Sequence, residues 1–175
     1  HEMLVLFIGC IKAGYPYIPV DSSVPPERLR QIIEASGARV VLSPQHVPEG
    51  VASTGVIIEA LLSLGGQDSL LNRDCLEAPR STWQVKLDEV YYIIYTSGST
   101  GVPKGVQITL RALESFLNWV NSAYLPQEHE VFLNQAPFSF DLSVMDLYMS
   151  LSTGGTFWSV DKDQIANPKA LFASL

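Results

Sequence analysis

The sequence predicts an α/β fold in which mostly parallel sheets are flanked by helices. Two observations carry that expectation. Segments with helical apolar spacing alternate with short β-branched and aromatic runs, and the connections between them are short, which is the pattern of a βαβ layer. The composition agrees. At 175 residues, 47% apolar and 17% charged, the chain can bury one substantial core and is too apolar for a disordered segment.

Taken in order, Met3 to Ala13 is apolar on all sides and stops at Gly14, which suits a buried helix with glycine after its last turn. Tyr17 to Val20 reads as a short strand. Asp21 and Ser22 turn the chain, and Pro25, Pro26 and Glu27 open a helix through about Ser36, with Gly37 beyond its end. Arg39 to Leu42 is the next strand. Residues 43 to 90 are punctuated by proline and glycine, so only Val56 to Glu59 reads as a strand there and the rest as loop. Tyr91 to Tyr95 has the content and length of a buried strand. Thr109 can cap a helix carrying Leu110, Leu113, Phe116, Leu117 and Val120 at helical spacing, and Glu130 to Asn134 then reads as a strand. Asp141 to Leu151 is expected to be helix, Thr156 to Val160 strand, and Asn167 to Leu175 the start of a further helix. There is no internal repeat. Both His1 and Leu175 fall within apolar-periodic segments, which predicts a piece of a longer protein.

Charge and cysteine content exclude several classes. Eighteen acidic and eleven basic residues give a net charge of −7, and the basic residues are scattered, so a nucleic-acid partner is not expected. The longest apolar stretch, Met3 to Ile11, is far short of the roughly 20 residues that span a bilayer. No transmembrane segment is expected. Cys10 and Cys75 lie far apart, with no C-x-x-C pair and no N-x-[ST] sequon, which favours a reduced, cytoplasmic setting. His1, His46 and His129 stand apart without a second ligand at helical spacing, so they read as surface residues and no metal site is expected.

The chemistry concentrates in YYIIYTSGSTGVPKGVQ, Tyr91 to Gln107. Here an apolar strand breaks into a loop in which Thr96, Ser97, Ser99 and Thr100 supply hydroxyl donors. Gly98, Gly101 and Gly105 permit positive φ and let main-chain N–H groups converge on an anion. Lys104 adds a mobile positive charge, and Pro103 beside it removes one freedom. This is not a P-loop, because G-x-x-x-x-G-K-[ST] places lysine directly after glycine and a hydroxyl directly after lysine, whereas Lys104 follows Pro103 and precedes Gly105. No helix N-terminus gripping phosphate is therefore expected. The plainer reading of the same loop is a surface hairpin rich in turn formers.

A second constellation is FLNQAPFSFDLSVMDLYM, Phe132 to Met149, where Asp141 heads an apolar helix after an aromatic loop. As a helix cap its carboxylate would accept N–H groups of the first turn. As a functional group it would sit in a pocket walled by Phe138, Phe140 and the helix. There it would stay ionised by pairing with a substrate ammonium, since a charge in an apolar pocket is costly without an opposite charge. Asp146, further along, reads as a solvated or capping acid.

Together the strings KAGYPYIPVD (Lys12 to Asp21), YYIIYTSGSTGVPKGVQ and FDLS (Phe140 to Ser143) resemble, in family order, the motifs of the AMP-forming adenylating enzymes. That superfamily includes acyl-CoA synthetases, firefly luciferase and peptide synthetase adenylation domains. The resemblance covers nearly the whole chain and implies part of the large N-terminal domain, with residues 1–90 a first α/β portion and 91–175 a phosphate-loop and substrate-pocket portion. It implies Mg2+ and ATP as cofactors, with Thr96, Ser97, Gly98, Ser99, Thr100, Gly101 and Lys104 as ATP contacts. Asp141, matching the acid of the FD-x-S segment, would bind an α-amino group.

Within the superfamily, LNQAPFSFDLSVMDLY looks most similar to the branch that charges a carrier protein with D-alanine for D-alanylation of teichoic acids. That implies D-alanine as substrate and the phosphopantetheine thiol of a D-alanyl carrier protein as acceptor. The resemblance also places the adenine and ribose contacts, the metal-binding acid and the lysine of the C-terminal domain outside this chain. No catalytic residue is assigned within it, and the chain alone is not expected to complete adenylation. Two other readings stay open: an adenylation domain for a different acid, as in a peptide synthetase or an acyl-CoA synthetase, and a non-catalytic α/β interaction module.

Overall fold

The computed structural model describes residues 2–43, 51, 57–60, 83–97, 101–127 and 129–174. They belong to two compact units, His1–Leu110 and Arg111–Leu175.

The first unit contains α1 (Glu2–Lys12), α2 (Pro26–Ser36), β1 (Val40–Ser43), β2 (Ile57–Ala60), β3 (Val90–Ser97) and β4 (Pro103–Thr109). Strands β1 and β2 pair in parallel, Val40 opposite Ile57. Pro26 lies in the first turn of α2, and Gly37 closes it at φ 65°, a left-handed conformation that costs glycine nothing. Ile32 and Ile33 on that helix are buried, and Ile33 packs with Val51, Leu29 and Val41. Only Phe7 of α1 is buried, whereas Val5 and Ile8 are exposed, so this helix is covered on one side where its composition suggested all sides. Gly14 follows α1 at φ 79°, and a Cβ there would lie 2.1 Å from the backbone oxygen of Trp83, so neither the conformation nor the space admits a side chain.

Tyr17 to Val20, read from sequence as a strand, contributes a single bridge. Tyr17 pairs in parallel with Tyr92, and its carbonyl accepts from the Ile93 N–H at 3.0 Å. Pro16 and Pro19 flank it, and without N–H groups they cannot extend a ladder. What remains is aromatic packing. Phe7 stacks on Tyr17 at 4.2 Å between ring centroids, and Tyr17 lies 5.8 Å from Tyr92.

The second unit is built on α3 (Leu110–Tyr124), β5 (Val131–Asn134), α4 (Leu142–Thr153), β6 (Thr156–Ser159), α5 (Lys162–Ala166) and α6 (Pro168–Ser174). Here β5, α4 and β6 form a βαβ unit with β5 parallel to β6. Leu147, Tyr148 and Met149 of α4 are buried, as are Val160 after β6 and Leu113 and Val120 of α3. Gly154 ends α4 at φ 68°. The α/β expectation holds, with two of the three strand pairs parallel among the described residues.

Two elements were not foreseen. Pro103, Lys104 and Gly105 read as loop, yet they open β4, which runs antiparallel to β3. Proline sits at the first position of the strand, where no ladder donor is demanded of it. The short helix α5 carries a complete capping box, in which the Asp161 carboxylate accepts from the Gln164 N–H at 2.7 Å and Gln164 Oε1 accepts from the Asp161 N–H at 2.9 Å. No helix among the described residues is long and apolar enough to cross a membrane.

Candidate functional site

The hydroxyl-rich segment begins at the turn end of the β3–β4 hairpin, where β3 runs into the connection to β4. Alternation along β3 buries Tyr92 and Ile94, and Thr96 continues their face out of the core into solvent. Thr96 and Lys104 are register partners, so both side chains leave the hairpin on one face. Both are exposed. The Thr96 hydroxyl donates to the Lys104 carbonyl at 3.4 Å, a long bond that leaves the oxygen lone pairs open. The Thr96 carbonyl in turn accepts from Arg28 Nη2 of α2 at 2.9 Å.

Ser97, opposite the buried Pro103, is the last rung, and Gly101 has φ 78°, as expected of a loop glycine. The structure thus gathers Thr96, Ser97, Gly101 and Lys104 at the turn end of one hairpin. Gly98, Ser99 and Thr100 lie outside the described residues.

Gly105 has a different part from the one its sequence context suggested. It is a strand residue of β4 without positive φ, opposite Tyr95, and a Cβ there would lie 2.9 Å from the Tyr95 ring and 3.0 Å from Ile93 Cγ2. The residue gives the tyrosine ring room to lie across the hairpin. The strand that follows the loop also agrees with the expectation that no helix N-terminus grips phosphate here.

Asp141 lies in the second unit, at the N-cap of α4, with φ −62° and ψ −26°. Its side chain makes no capping hydrogen bond. The turn is held by Ser143 instead, whose hydroxyl donates to the Phe140 carbonyl at 2.7 Å while its N–H reaches the same oxygen at 3.2 Å. Ser143 is 2% exposed, and sequence reasoning gave it no role; the i to i+3 spacing from Phe140 was its only signal. Phe138 stacks on Phe157 of β6 at 5.9 Å, whereas Phe140 and Asp141 are both exposed.

Asp146 is only partly solvated and lies in the middle of α4, away from its cap. It lies half-buried on α4 and accepts from Nδ2 of Asn134, at the C-terminal end of β5, at 3.3 Å. Burial pushes its carboxyl above the ordinary aspartate range, and the Asn134 hydrogen bond offsets part of that rise. Asn134 is 3% exposed. Among the described residues no group of three His, Cys, Asp or Glu side chains is placed to hold a metal ion, and His129 is exposed.

Comparison with known proteins bears on the family and the fold. The family described as AMP-binding enzyme matches residues 1–175. A D-alanine–D-alanyl carrier protein ligase of Bacillus cereus is 51% identical over 179 aligned positions, covering 99% of this chain and 34% of that protein. The chain therefore spans about a third of the length of this curated relative. Among solved structures, CmiS6 superposes with a TM-score of 0.77 at 26% identity, covering 98% of this chain and 40% of that one. The N-terminal subdomain of Klebsiella oxytoca NpsA, solved with 3-hydroxybenzoyl-AMSN, gives a TM-score of 0.73 at 27% identity over 91% of this chain and 38% of that one.

Proposed function

Because the chain belongs to the AMP-binding enzyme family, we propose that the intact protein activates D-alanine with ATP and loads it onto a D-alanyl carrier protein. What carries this reading is the 51% identity with a D-alanine–D-alanyl carrier protein ligase, sustained over 99% of the chain. In the first step a carboxylate oxygen of D-alanine attacks the α-phosphorus of ATP. The new O–P bond forms as the bond to the pyrophosphate oxygen breaks, and that electron pair leaves with pyrophosphate. In the second, a thiolate of the carrier's phosphopantetheine attacks the acyl carbon of D-alanyl adenylate, forming a thioester and releasing AMP. The product would serve D-alanylation of teichoic acids, and the use of ATP puts the reaction in the cytoplasm.

Thr96, Ser97 and Lys104, with Gly98, Ser99, Thr100 and Gly101, bind and orient the ATP phosphates. Lys104 offsets phosphate charge, while hydroxyl and main-chain donors hold the chain of phosphates for an in-line attack. Asp141 pairs with the D-alanine ammonium. A carboxylate not used in its own helix cap is free for that task, and the pair distinguishes an amino acid from a plain carboxylic acid. Mg2+ would accompany the nucleotide and neutralise phosphate charge. Among the described residues no ligand set is gathered for it.

The test is ATP–pyrophosphate exchange by the full-length protein over D-alanine, L-alanine, the other amino acids and short fatty acids. Exchange confined to D-alanine is the expected result. Exchange with another acid would keep adenylation and reject the substrate, and no exchange with any would return residues 96–104 to a turn-rich hairpin.

A further inference from the structure

We propose that Arg28 is a positioning residue for the nucleotide loop, fixing from α2 the peptide at which β3 gives way to that loop. This rests on reading residues 96–104 as the phosphate site. The last rung of the hairpin is Ser97 opposite Pro103, and proline has no N–H to contribute to the ladder. One step inward, the Thr96 hydroxyl reaches the Lys104 carbonyl only at 3.4 Å. This end of the hairpin therefore lacks one main-chain donor, that of Pro103.

Arg28 adds a tie from outside the hairpin. Its Nη2 donates to the Thr96 carbonyl at 2.9 Å, a charge-assisted bond made across 68 positions of sequence. The peptide joining Thr96 to Ser97 is planar, so holding the carbonyl at one side sets the direction of the Ser97 N–H at the other. Ser97 is thereby oriented without being touched.

The base from which Arg28 acts is itself firm. Ile32 and Ile33 anchor α2 in the core, and that helix packs against β4. The acids of α2 are engaged elsewhere, since Arg30 binds Glu27 at 2.7 Å and Glu34 at 2.5 Å. The hydrogen bond from Arg30 is the chief cause that holds the Glu27 carboxyl below its ordinary range. Neither carboxylate draws Arg28 away from Thr96.

The experiment compares full-length wild type with Arg28→Met, which keeps length and loses the donors, and Arg28→Lys, which keeps a charged donor. Exchange kinetics are measured against Mg·ATP and D-alanine separately, with Tm and equilibrium binding of Mg·ATP alongside. The expected result for Arg28→Met is a fall of about tenfold in kcat/KM for ATP, with KM for D-alanine within about twofold of wild type. Arg28→Lys is expected to recover to within about threefold, because an ammonium can also donate to the carbonyl. Unchanged ATP parameters in Arg28→Met would overturn the proposal. So would equal losses toward both substrates in step with a fallen Tm, which a purely structural role produces.

If wild type exchanges with no acid at all, the functional reading fails and Mg·ATP binding decides for Arg28. A tenfold weaker affinity in Arg28→Met alone would sustain it, and equal affinities, or no binding by wild type, would reject it.

Discussion

The two regions proposed to meet substrate are prepared in opposite ways. At the turn end of β3–β4 the groups are tied in advance. The Thr96 hydroxyl rests on the Lys104 carbonyl, and the Thr96 carbonyl is held by Arg28. At the head of α4 the backbone is tied and the functional side chain is left loose, because Ser143 makes the turn-closing hydrogen bond that Asp141 does not. The difference follows from what each site would bind. Phosphate recognition shares charge among many modest donors whose directions must agree beforehand. Recognition of one ammonium needs one carboxylate with its lone pairs unspent, and here the turn before α4 is closed by Ser143 and not by Asp141.

The sharpest way to break this comparison is Asp141→Asn in the full-length protein. Removing the charge while keeping the shape should lower kcat/KM for D-alanine by about a hundredfold or more, the loss of one charged hydrogen-bonded pair. ATP affinity should stay within about twofold. Because Asp141 makes no capping bond, Tm should not move, and a clear drop in Tm would mean that the carboxylate was structural after all.

Lys104→Met comes next and should act on the other side of the comparison. KM for ATP is expected to rise about tenfold with KM for D-alanine unchanged, as one cation of a shared phosphate site is removed. Equal effects on both substrates in steady-state kinetics would argue that the two regions are not separable in this way.

Ser143→Ala tests the division of labour within α4. The Phe140 carbonyl would keep the Ser143 N–H at 3.2 Å and lose the hydroxyl at 2.7 Å. A stability loss of about 1 kcal/mol is expected from chemical denaturation. D-alanine kinetics should worsen severalfold before those of ATP do, since the turn that carries Asp141 is loosened.

Sequence made the ends of several elements legible because single residues decide them. Pro26 and Gly37 bracket α2, and the run from Leu110 to Val120 carries its helical period openly. The loop was legible as chemistry for the same reason, its residue types being unusual in combination. What escaped was set by partners distant in sequence. Strand β4 is hidden behind Pro103 and Gly105, and only the Tyr95 ring lying over Gly105 explains why glycine belongs there. The Arg28 bond joins positions that no local pattern links. Asp146 looked like an ordinary helix acid because Asn134 reaches it only once β5 and α4 pack.

Asp146 also offers the smallest and most discriminating test, since it is the other acid of α4 and is treated unlike Asp141. Burial raises its carboxyl pKa in the folded state, so folding favours the protonated form. The stability it contributes is therefore fully present below the ordinary aspartate value and is lost as pH rises through the elevated folded one. In Asp146→Asn the side chain stays neutral throughout, and its amide oxygen can still accept from Asn134. Tm followed from acid to neutral pH should then fall less steeply than in wild type, with the variant at least as stable near neutrality and D-alanine kinetics unaltered. An unchanged slope with weaker D-alanine activation would show instead that α4 spends both of its acids on substrate, and the contrast between a committed and an uncommitted carboxylate on one helix would not stand.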